Sequence, residues 1–372
     1  MPKSGGLEGI VVSDTAISTV GKEGVGLTYR GYDIHELAEK SSFEEVAYLL
    51  IYGALPTEKQ LQAYRSKLIK LRRVPGEIKL LLETMPGSSH PMEVLRTAVS
   101  MLGTLEPESA AYPDHEIADR LIACTPGILL YWYQYHRRTM RIEPADCEST
   151  TVAGQFLELL HGEMPDEEIR RALDVSLILY AEHEFNASTF AARVTTSTQS
   201  DFCSAIVSAI ATLRGALHGG ANEEAMRLIS SFKTPALAER GIAEMIKQKE
   251  KIMGFGHRVY KLSDPRSDII KAWAKRLAKD ANFALLYAIA ERIERMMWDE
   301  KKLFPNLDFY SGAVYHFCGI PTLLFTPIFV MARLSGWSAH IFEQRAHNRL
   351  IRPEANYIGP AQRPFPPMQD RV

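Results

Sequence analysis

The sequence predicts an all-α fold, and the spacing of its apolar residues is the main reason. Across most of the 372 residues, apolar side chains recur every three or four positions, which is typical of helices packed against a core. Well over ten such segments can be counted. The strict alternation expected of strands is scarce, and only residues 9–20 and 26–34 look extended. These two segments predict a small β ribbon near the N-terminus.

The first well-marked helices lie in the N-terminal third of the chain. Gly53 follows a helical stripe and serves as a stop signal, while Thr57 and Gln60 have the spacing of a capping box that opens the next helix. The apolar stripe before the stop consists of Phe43, Val46, Ala47, Leu50 and Ile51. Start and stop signals of this kind support the helical prediction independently of the apolar spacing.

Later helices are marked by acidic or proline starts. The segment 165–168, Pro-Asp-Glu-Glu, is an acidic helix start before a helical stripe, as expected where negative charge meets the N-terminal end of a helix dipole. Thr234 with Pro235, and Asp264 with Pro265, open two further segments, because proline is well tolerated in the first helical turn. The length favours two domains, or three, and no repeat of fixed period is visible.

The C-terminal tail has a different character from the rest. Residues 352–372 contain five prolines, a density that helices do not tolerate. The tail is therefore either a disordered end or an extended arm on another surface. We favour the arm, because Tyr357, Ile358 and Phe365 would otherwise be exposed apolar groups.

Composition narrows the class of protein. The hydrophobic fraction is 46%, the charged fraction 24% and the net charge −2, so nothing suggests a nucleic-acid or membrane-surface partner. The four cysteines are far apart, which favours reduced, packed thiols over disulfides or a zinc site. No signal peptide is evident, and the longest apolar stretch, 320–334, is too short to cross a bilayer. We expect a cytoplasmic enzyme.

Three histidines lie among small or polar residues. His183 precedes Glu184, His218 precedes two glycines, and His257 follows Gly254 and Gly256 in a predicted loop. A single histidine is more often a hydrogen-bonded or surface group than a catalyst. Glycine, however, lets the backbone approach a ligand closely and adopt positive φ. The two glycine-flanked turns fit helix caps and ligand loops about equally well.

Asp308 is a carboxylate between two apolar residues. Its simpler interpretation is the N-cap of a helix that starts near Phe309. The alternative is a general base, whose proton affinity the apolar neighbours would raise. On the residues alone, the cap is favoured.

These segments together resemble the citrate synthase family. Residues 254–266 read Gly-Phe-Gly-His-Arg-Val-Tyr-Lys-Leu-Ser-Asp-Pro-Arg, which looks like a signature segment of that family. Further similarity runs through residues 29–33 and 89–92 to the tail, so the resemblance covers nearly the whole chain. Seven positions match the family's site residues in order: His183, His218, His257, Arg266, Asp308, Arg333 and Arg352.

The resemblance implies a Claisen-type condensation of an acyl-CoA with oxaloacetate, followed by hydrolysis of the thioester. In this reaction Asp308 would remove the α-proton, His218 would stabilise the enol, and His257 would donate to the ketone oxygen of oxaloacetate. His183 would orient the keto acid. The carboxylates of oxaloacetate would bind three arginines, because the planar guanidinium group can donate two hydrogen bonds to a carboxylate. These are Arg266, expected in the first turn of its helix, Arg333 and Arg352.

The resemblance also implies how CoA binds. A family CoA-binding loop is matched by Lys251, Ile252, Met253, Gly254 and Phe255, and Lys261 is a candidate for a phosphate. CoA would enter as the thioester substrate. No permanently bound cofactor and no metal is expected.

The family fold is an all-α homodimer with a large and a small domain in each chain. Carried over, the large domain is 1–218 with 322–372, and the small domain is 219–321. His218 then lies at a junction where closure over the substrates could hinge. The resemblance further implies that Arg352 reaches the active site of the partner subunit.

Within the family, the chain most resembles the 2-methylcitrate synthases, which use propionyl-CoA. Residues 181–190, 336–345 and 351–360 carry that similarity. Gly312 is a departure, since alanine occurs there in some 2-methylcitrate synthases and glycine in many citrate synthases. A citrate synthase that uses acetyl-CoA, or dual activity, is the alternative. A non-catalytic helical acyl-CoA binder is the alternative of another class, although a binder needs no base.

Overall fold

The computed structural model describes residues 6–7, 9–21 and 26–371, and it confirms the all-α prediction. Three short 3-10 segments, Pro144–Asp146, Thr322–Leu324 and Met368–Asp370, supplement the helices. The α-helices in chain order are α1 (Ile34–Lys40), α2 (Phe43–Tyr52), α3 (Glu58–Lys70), α4 (Gly76–Thr84), α5 (Pro91–Leu105), α6 (Asp114–Arg138), α7 (Val152–His161), α8 (Glu167–Tyr180), α9 (Ala187–Ser197), α10 (Phe202–Leu213), α11 (Ala221–Ser231), α12 (Pro235–Lys247), α13 (Ser267–Leu277), α14 (Ala281–Lys301), α15 (Leu307–Phe317) and α16 (Phe325–Ala346).

The predicted N-terminal ribbon is a small antiparallel sheet. Its strands are β1 (Ser18–Val20), β2 (Leu27–Tyr29) and β3 (Tyr32–Asp33), in the order β1-β2-β3. The hydroxyl of Tyr29 lies within hydrogen-bonding distance of the carbonyl of Glu182, at 3.1 Å. The sheet is therefore attached to the segment that follows α8.

Most helix boundaries follow the local signals in the sequence. Gly53 ends α2 in the left-handed conformation, and Thr57 with Gln60 forms the capping box of α3. Thr234 caps α12, with a proline in the first turn. One prediction was wrong in detail: Arg266 is the N-cap of α13 and does not lie in its first turn. Asp264 accepts from the backbone N–H of Arg266 as well as from its guanidinium, and the helix begins at the next residue.

The core centres on α16, which is buried along most of its length. It packs against α2, α5, α6, α8, α9 and α10, so it carries its polar residues into the interior. Arg333, Ser338 and His340 are such residues, and each is almost completely buried. A polar group in this position needs partners. Arg333 donates to Tyr180 of α8, His340 contacts Arg193 of α9, and Ser338 donates to Leu334 within α16 itself.

Helices α11 to α15 pack mainly on one another. Contacts join α11 to α15, α12 to α14, and α13 to both α14 and α15. All five lie within residues 219–321, the predicted small domain, although α15 also contacts α8. The domain boundaries at 218 and 322 stay a prediction.

The tail beyond α16 is extended, and its apolar side chains are exposed. The exposed fractions of Tyr357, Ile358 and Phe365 are 75%, 91% and 84%. Three of the four cysteines are buried, as expected of packed thiols. Among the described residues, no helix is both long enough and apolar enough to cross a membrane.

Candidate active site

Six of the seven predicted site residues come from separate elements that meet beside α16. His183 lies in the turn between α8 and α9, and His218 lies in the turn between α10 and α11. His257 belongs to the loop before α13, while Arg266 caps that helix. Asp308 lies in α15 and Arg333 in α16.

His183 and His257 lie close together and share a tyrosine neighbour. Their ring centroids are 5.0 Å apart, and Tyr260 lies 5.5 Å from the first ring and 4.7 Å from the second. The hydroxyl of Tyr260 is 3.2 Å from Nε2 of His183. Burial, followed by the charges of Arg266 and its neighbours, holds the pKa of His183 well below its ordinary range. His183 is therefore a neutral hydrogen-bonding group.

The backbone fixes the tautomer of His257. The N–H groups of Val259 and Tyr260 both point at its Nδ1, at 3.1 and 3.3 Å. Since a backbone N–H can only donate, Nδ1 accepts and the proton of the neutral ring sits on Nε2. Burial and the charge of Arg266 lower the pKa of His257 to about 4. At neutral pH this ring offers one N–H to a ligand.

His218 has the opposite tautomer. Its Nε2 accepts from the backbone N–H of Ser188, at 3.2 Å, and the hydroxyl of that serine is 2.8 Å away. This N–H belongs to the first turn of α9, where helix donors lack intrahelical partners. Burial and the charge of Arg333 lower the pKa of His218 to about 4. The neutral ring therefore carries its proton on Nδ1.

Asp308 is not the helix cap that its sequence context favoured. Asn306 caps α15, and its side chain accepts from the N–H of Asp308 at 3.1 Å. One carboxylate oxygen of Asp308 accepts from the hydroxyl of Tyr180 at 2.6 Å. Burial is the largest influence on the carboxyl and raises its pKa above the ordinary range. A partly desolvated carboxylate that does not cap a helix fits the role of a proton acceptor.

Arg266 is held rigidly at the start of α13. Its Nε and Nη2 donate to the two carboxylate oxygens of Asp264 at 2.9 and 2.8 Å. The same carboxylate accepts from the N–H of Leu307, the first residue of α15, at 3.0 Å. This pairing uses one edge of the guanidinium and leaves Nη1 outside the pair.

Arg333 is a buried cation with an unused donor. Only 1% of its surface is exposed, and its Nε donates to the carbonyl of Tyr180 at 2.7 Å. Its Nη1 is buried without a hydrogen-bond partner among the described residues. Its guanidinium lies 4.7 Å from the ring of Phe329, which also neighbours His218. An unpaired buried donor of this kind is costly, and a bound anion would satisfy it.

The predicted CoA loop, Lys251, Ile252, Met253, Gly254 and Phe255, is attached to the segment that leads into Asp308. The carbonyl of Gly254 accepts from the N–H of Asn306 at 2.9 Å, and the ring of Phe255 lies 4.5 Å from that of Phe309. Gly254 has φ +91°, and a Cβ there would approach Phe309 to 3.0 Å. This close packing explains the glycine and places the loop beside α15.

Two predicted binding residues lie outside the cluster. Arg352 is exposed just beyond α16, and no hydrogen bond or ion pair among the described residues joins it to the other six. Lys261 is also exposed, and its ammonium donates to the carbonyl of Arg258 at 2.9 Å.

Sequence reasoning missed the residues that hold the predicted ones in place. They carried no motif of their own, and only Asp264 gave a signal, since an acidic residue two positions before an arginine in a tight turn can pair with it. The missed residues are Tyr180, Ser188, Tyr260, Asp264 and Phe329.

The arrangement combines one proton acceptor, two neutral imidazole donors and two buried arginines. Such a set can remove a weakly acidic proton and stabilise charge that develops on carbonyl oxygens. The arginines suit a ligand with two carboxylates. Within residues 6–7, 9–21 and 26–371, no cluster of histidine, cysteine, aspartate or glutamate has the geometry of a metal site.

Comparison with known proteins agrees with this chemistry. The family model described as citrate synthase, C-terminal domain, matches residues 6–354. The chain is 51% identical over 366 residues to 2-methylcitrate synthase of Shewanella oneidensis, covering 98% of this chain and 97% of the relative. It is 44% identical over 379 residues to citrate synthase 2 of Bacillus subtilis, covering 100% of both.

A solved structure matches the fold over almost its full length. It is the citrate synthase of the archaeon Thermoplasma acidophilum, in a ternary complex with carboxymethyl coenzyme A and oxaloacetate. The TM-score is 0.90 at 33% identity, and the match covers 98% of each chain.

Proposed function

Because the chain belongs to the citrate synthase family, we propose that it is a 2-methylcitrate synthase. As a member of that family it is an acyltransferase that condenses an acyl-CoA with oxaloacetate. The proposed reaction joins propionyl-CoA to oxaloacetate and hydrolyses the thioester, giving 2-methylcitrate and CoA. The observation that carries the proposal is the cluster around Asp308, in which two neutral histidines present N–H groups of opposite tautomers.

The first step is removal of the α-proton from the acyl thioester. Asp308 is suited to it because its desolvated carboxylate has a raised pKa. As the proton moves to Asp308, negative charge develops on the thioester oxygen, and the Nδ1–H of His218 donates to it. Ser188 supports this role, because its backbone N–H occupies the other ring nitrogen.

The second step is formation of the new carbon–carbon bond. The enol carbon attacks the ketone carbon of oxaloacetate, and the ketone oxygen becomes the alkoxide that is protonated to the alcohol. The Nε2–H of His257 serves that oxygen, since Nδ1 is occupied by two backbone donors. Water then cleaves the thioester, which releases CoA and makes the sequence effectively irreversible.

The carboxylates of oxaloacetate bind the arginines. Arg333 offers its unpaired Nη1, and Arg266 offers the edge that Asp264 leaves open. His183 orients the keto acid between them. We further propose that the loop 251–255 contacts CoA and that Lys261 serves a phosphate, because the loop is attached beside α15 and the lysine is exposed.

Oligomer and domain arrangement form part of the proposal. We propose a homodimer in which Arg352 completes the partner's active site, and the exposed apolar side chains of the tail support an arm that packs on a second chain. The proposed small domain, 219–321, would close over the substrates about the turn at His218. A place in the cytoplasm stays a prediction from the sequence.

Acetyl-CoA is the second candidate substrate, and Gly312 is the observation that favours keeping it. A Cβ at Gly312 would come within 2.7 Å of the carbonyl oxygen of Asn222 and 3.3 Å of Met226. The glycine thus lets α15 pack closely on the start of α11. The two acyl groups differ by one methylene, worth about 0.8 kcal/mol on burial, so dual activity is expected.

The experiment that tests the proposal follows thiol release when the protein is mixed with propionyl-CoA and oxaloacetate. Thiol release that requires both substrates, with 2-methylcitrate identified by mass spectrometry, would support it. An acyl-CoA binder without catalytic activity would bind propionyl-CoA but release no thiol.

A further inference from the structure

Behind the proposed keto-acid site lies a buried polar network that the reaction itself does not use. It is built on Glu182, the residue immediately before His183, whose side chain is fully buried. One carboxylate oxygen, Oε1, accepts from the hydroxyl of Ser18 at 3.0 Å and from Nε2 of His340 at 2.9 Å. The network therefore joins β1, the turn after α8, and α16.

The other neighbour of His340 shows which of its ring nitrogens accepts a hydrogen bond. Nη1 of Arg193 lies 3.0 Å from Nδ1 of His340, and a guanidinium can only donate. Nδ1 is therefore an acceptor, and the N–H at Nε2 is directed at Glu182. Burial alone would raise the pKa of Glu182, but the nearby His340 and Arg333 hold it below its ordinary value. Glu182 is thus a buried carboxylate anion.

Ser18 bridges the two residues that flank His183. Its hydroxyl donates to Glu182 and accepts from the backbone N–H of Glu184 at 3.1 Å. Glu184 has φ 52°, in the left-handed region that a residue with a side chain adopts only at a cost. The hydroxyl of Ser18 satisfies the N–H of this strained residue, so it fixes the turn that presents His183.

Glu182 also acts on Arg333. Its second oxygen, Oε2, has no partner among the described residues and lies against α16, where a Cβ at Gly336 would come within 2.4 Å of it. Gly336 is one turn along the helix from Arg333. Burial lowers the pKa of Arg333 to about 10, and the charge of Glu182 is the largest influence opposing that shift. The carboxylate therefore favours the charged arginine without occupying its free Nη1.

We propose that Ser18 and Glu182 are positioning residues of the keto-acid site, acting through His183 and Arg333. The inference rests on the proposed function, because it takes oxaloacetate as the ligand of these two residues. It gives the N-terminal sheet a part in substrate binding, since β1 supplies the hydroxyl that holds the His183 turn.

The test compares Ser18→Ala with two other variants. Thr19→Ala is the matched control, because it removes the neighbouring hydroxyl of β1, which contacts Thr28 and neither flank of His183. Ser18→Thr keeps the hydroxyl. Ser18→Ala loses the hydrogen bond to the charged carboxylate of Glu182. We therefore expect its KM for oxaloacetate to rise on the order of tenfold. Its KM for acyl-CoA and its kcat should stay within about twofold, and Ser18→Thr should restore the KM.

Glu182→Gln is the second variant in case Ser18→Ala folds poorly. It keeps the shape and loses the charge, so it should also raise the KM for oxaloacetate selectively. Equal kinetic constants in Ser18→Ala and Thr19→Ala would overturn the proposal. So would a Ser18→Ala variant in which kcat falls, both KM values rise and thermal stability falls together.

Direct calorimetric titration with oxaloacetate separates this proposal from the proposed function. If the unmodified protein binds oxaloacetate but releases no CoA, the proposed function fails, and the dissociation constants of the variants still decide the positioning role. If the unmodified protein is active and Ser18→Ala and Glu182→Gln bind oxaloacetate as it does, only the positioning proposal fails.

Discussion

At the scale of single residues, backbone donors decide what the histidines can do. His218 and His257 accept backbone N–H groups on opposite ring nitrogens, so each keeps one N–H for a ligand. Burial lowers the pKa of both to about 4, so neither carries a charge at neutral pH. In the proposed mechanism they therefore act as neutral hydrogen-bond donors, and Asp308 is the base.

Replacing the base tests its role directly. Asp308→Asn keeps the shape of the side chain and a possible acceptor for the hydroxyl of Tyr180, but it cannot take up the α-proton. We expect kcat to fall by about 10²-fold or more, the scale of general-base catalysis, with little change in oxaloacetate binding. Steady-state kinetics and calorimetric titration provide the two readouts. Near-normal turnover would remove Asp308 from the mechanism.

At this scale the sequence predicted the site residues but not the neighbours that hold them. The resemblance supplied the seven site positions, and the structure brings six of them together. The groups that hydrogen-bond to the ring nitrogens of the histidines were not predictable. The contacts of Ser188 and Tyr260 form only when distant segments meet in the fold. Asp308 shows the limit of local rules, since its context favoured a cap and Asn306 provides that cap instead.

At the scale of elements, buried carboxylates tie the N-termini of helices together. Asp174 of α8 accepts from the N–H of Phe43, the first residue of α2, at 3.1 Å. Glu44 of α2 accepts from the N–H of Val152, the first residue of α7, at 2.8 Å. Both carboxylates are fully buried, and Arg65 approaches Glu44 only to 3.8 Å. Both helices also have local N-caps, Ser42 and Thr151, but the long-range partners of their first N–H groups cannot be read from local sequence.

The pKa of Glu44 predicts a pH-dependent stability. Burial, together with the nearby charge of Asp174, raises the pKa from the ordinary 4.5 to about 7. The folded state therefore binds more protons than the unfolded state between these values. The stability present below pH 4.5 is lost as the pH rises towards 7, at up to about 1.4 kcal/mol per pH unit.

Glu44→Gln should remove that dependence, because the amide oxygen can still accept from Val152 and no charge forms. The measurement is the difference in urea midpoint between the variant and the unmodified protein from pH 4.5 to 8. The variant should gain relative stability as the pH rises to about 7 and then level off. A difference that stays constant across this range would show that Glu44 does not titrate there.

At the scale of the whole molecule, contacts within one chain do not explain the tail or the position of Arg352. Arg352 is exposed and stands apart from the other six site residues, and the apolar groups of the tail face outwards. The proposed arm, which buries these groups on a partner and carries Arg352 to the partner's site, would account for both. The prolines of the sequence predicted an extended arm, and its packing on a second chain stays a proposal.

Mixing two inactive variants tests completion of the site by the partner. Asp308→Asn and Arg352→Ala are refolded together so that mixed dimers form. If each site takes Asp308 from one chain and Arg352 from the other, a mixed dimer regains one intact site and about half the normal activity. If Arg352 acts within its own chain, dimers shown to be mixed will stay inactive.

The central claim concerns the acyl group, and one measurement tests it most directly. The ratio of kcat/KM for propionyl-CoA to that for acetyl-CoA is determined with saturating oxaloacetate. We predict a ratio above one with measurable acetyl activity, because a pocket discriminates a single methylene only by roughly 10–200-fold. A tenfold or greater preference for acetyl-CoA would contradict the account and show that the chain is a citrate synthase.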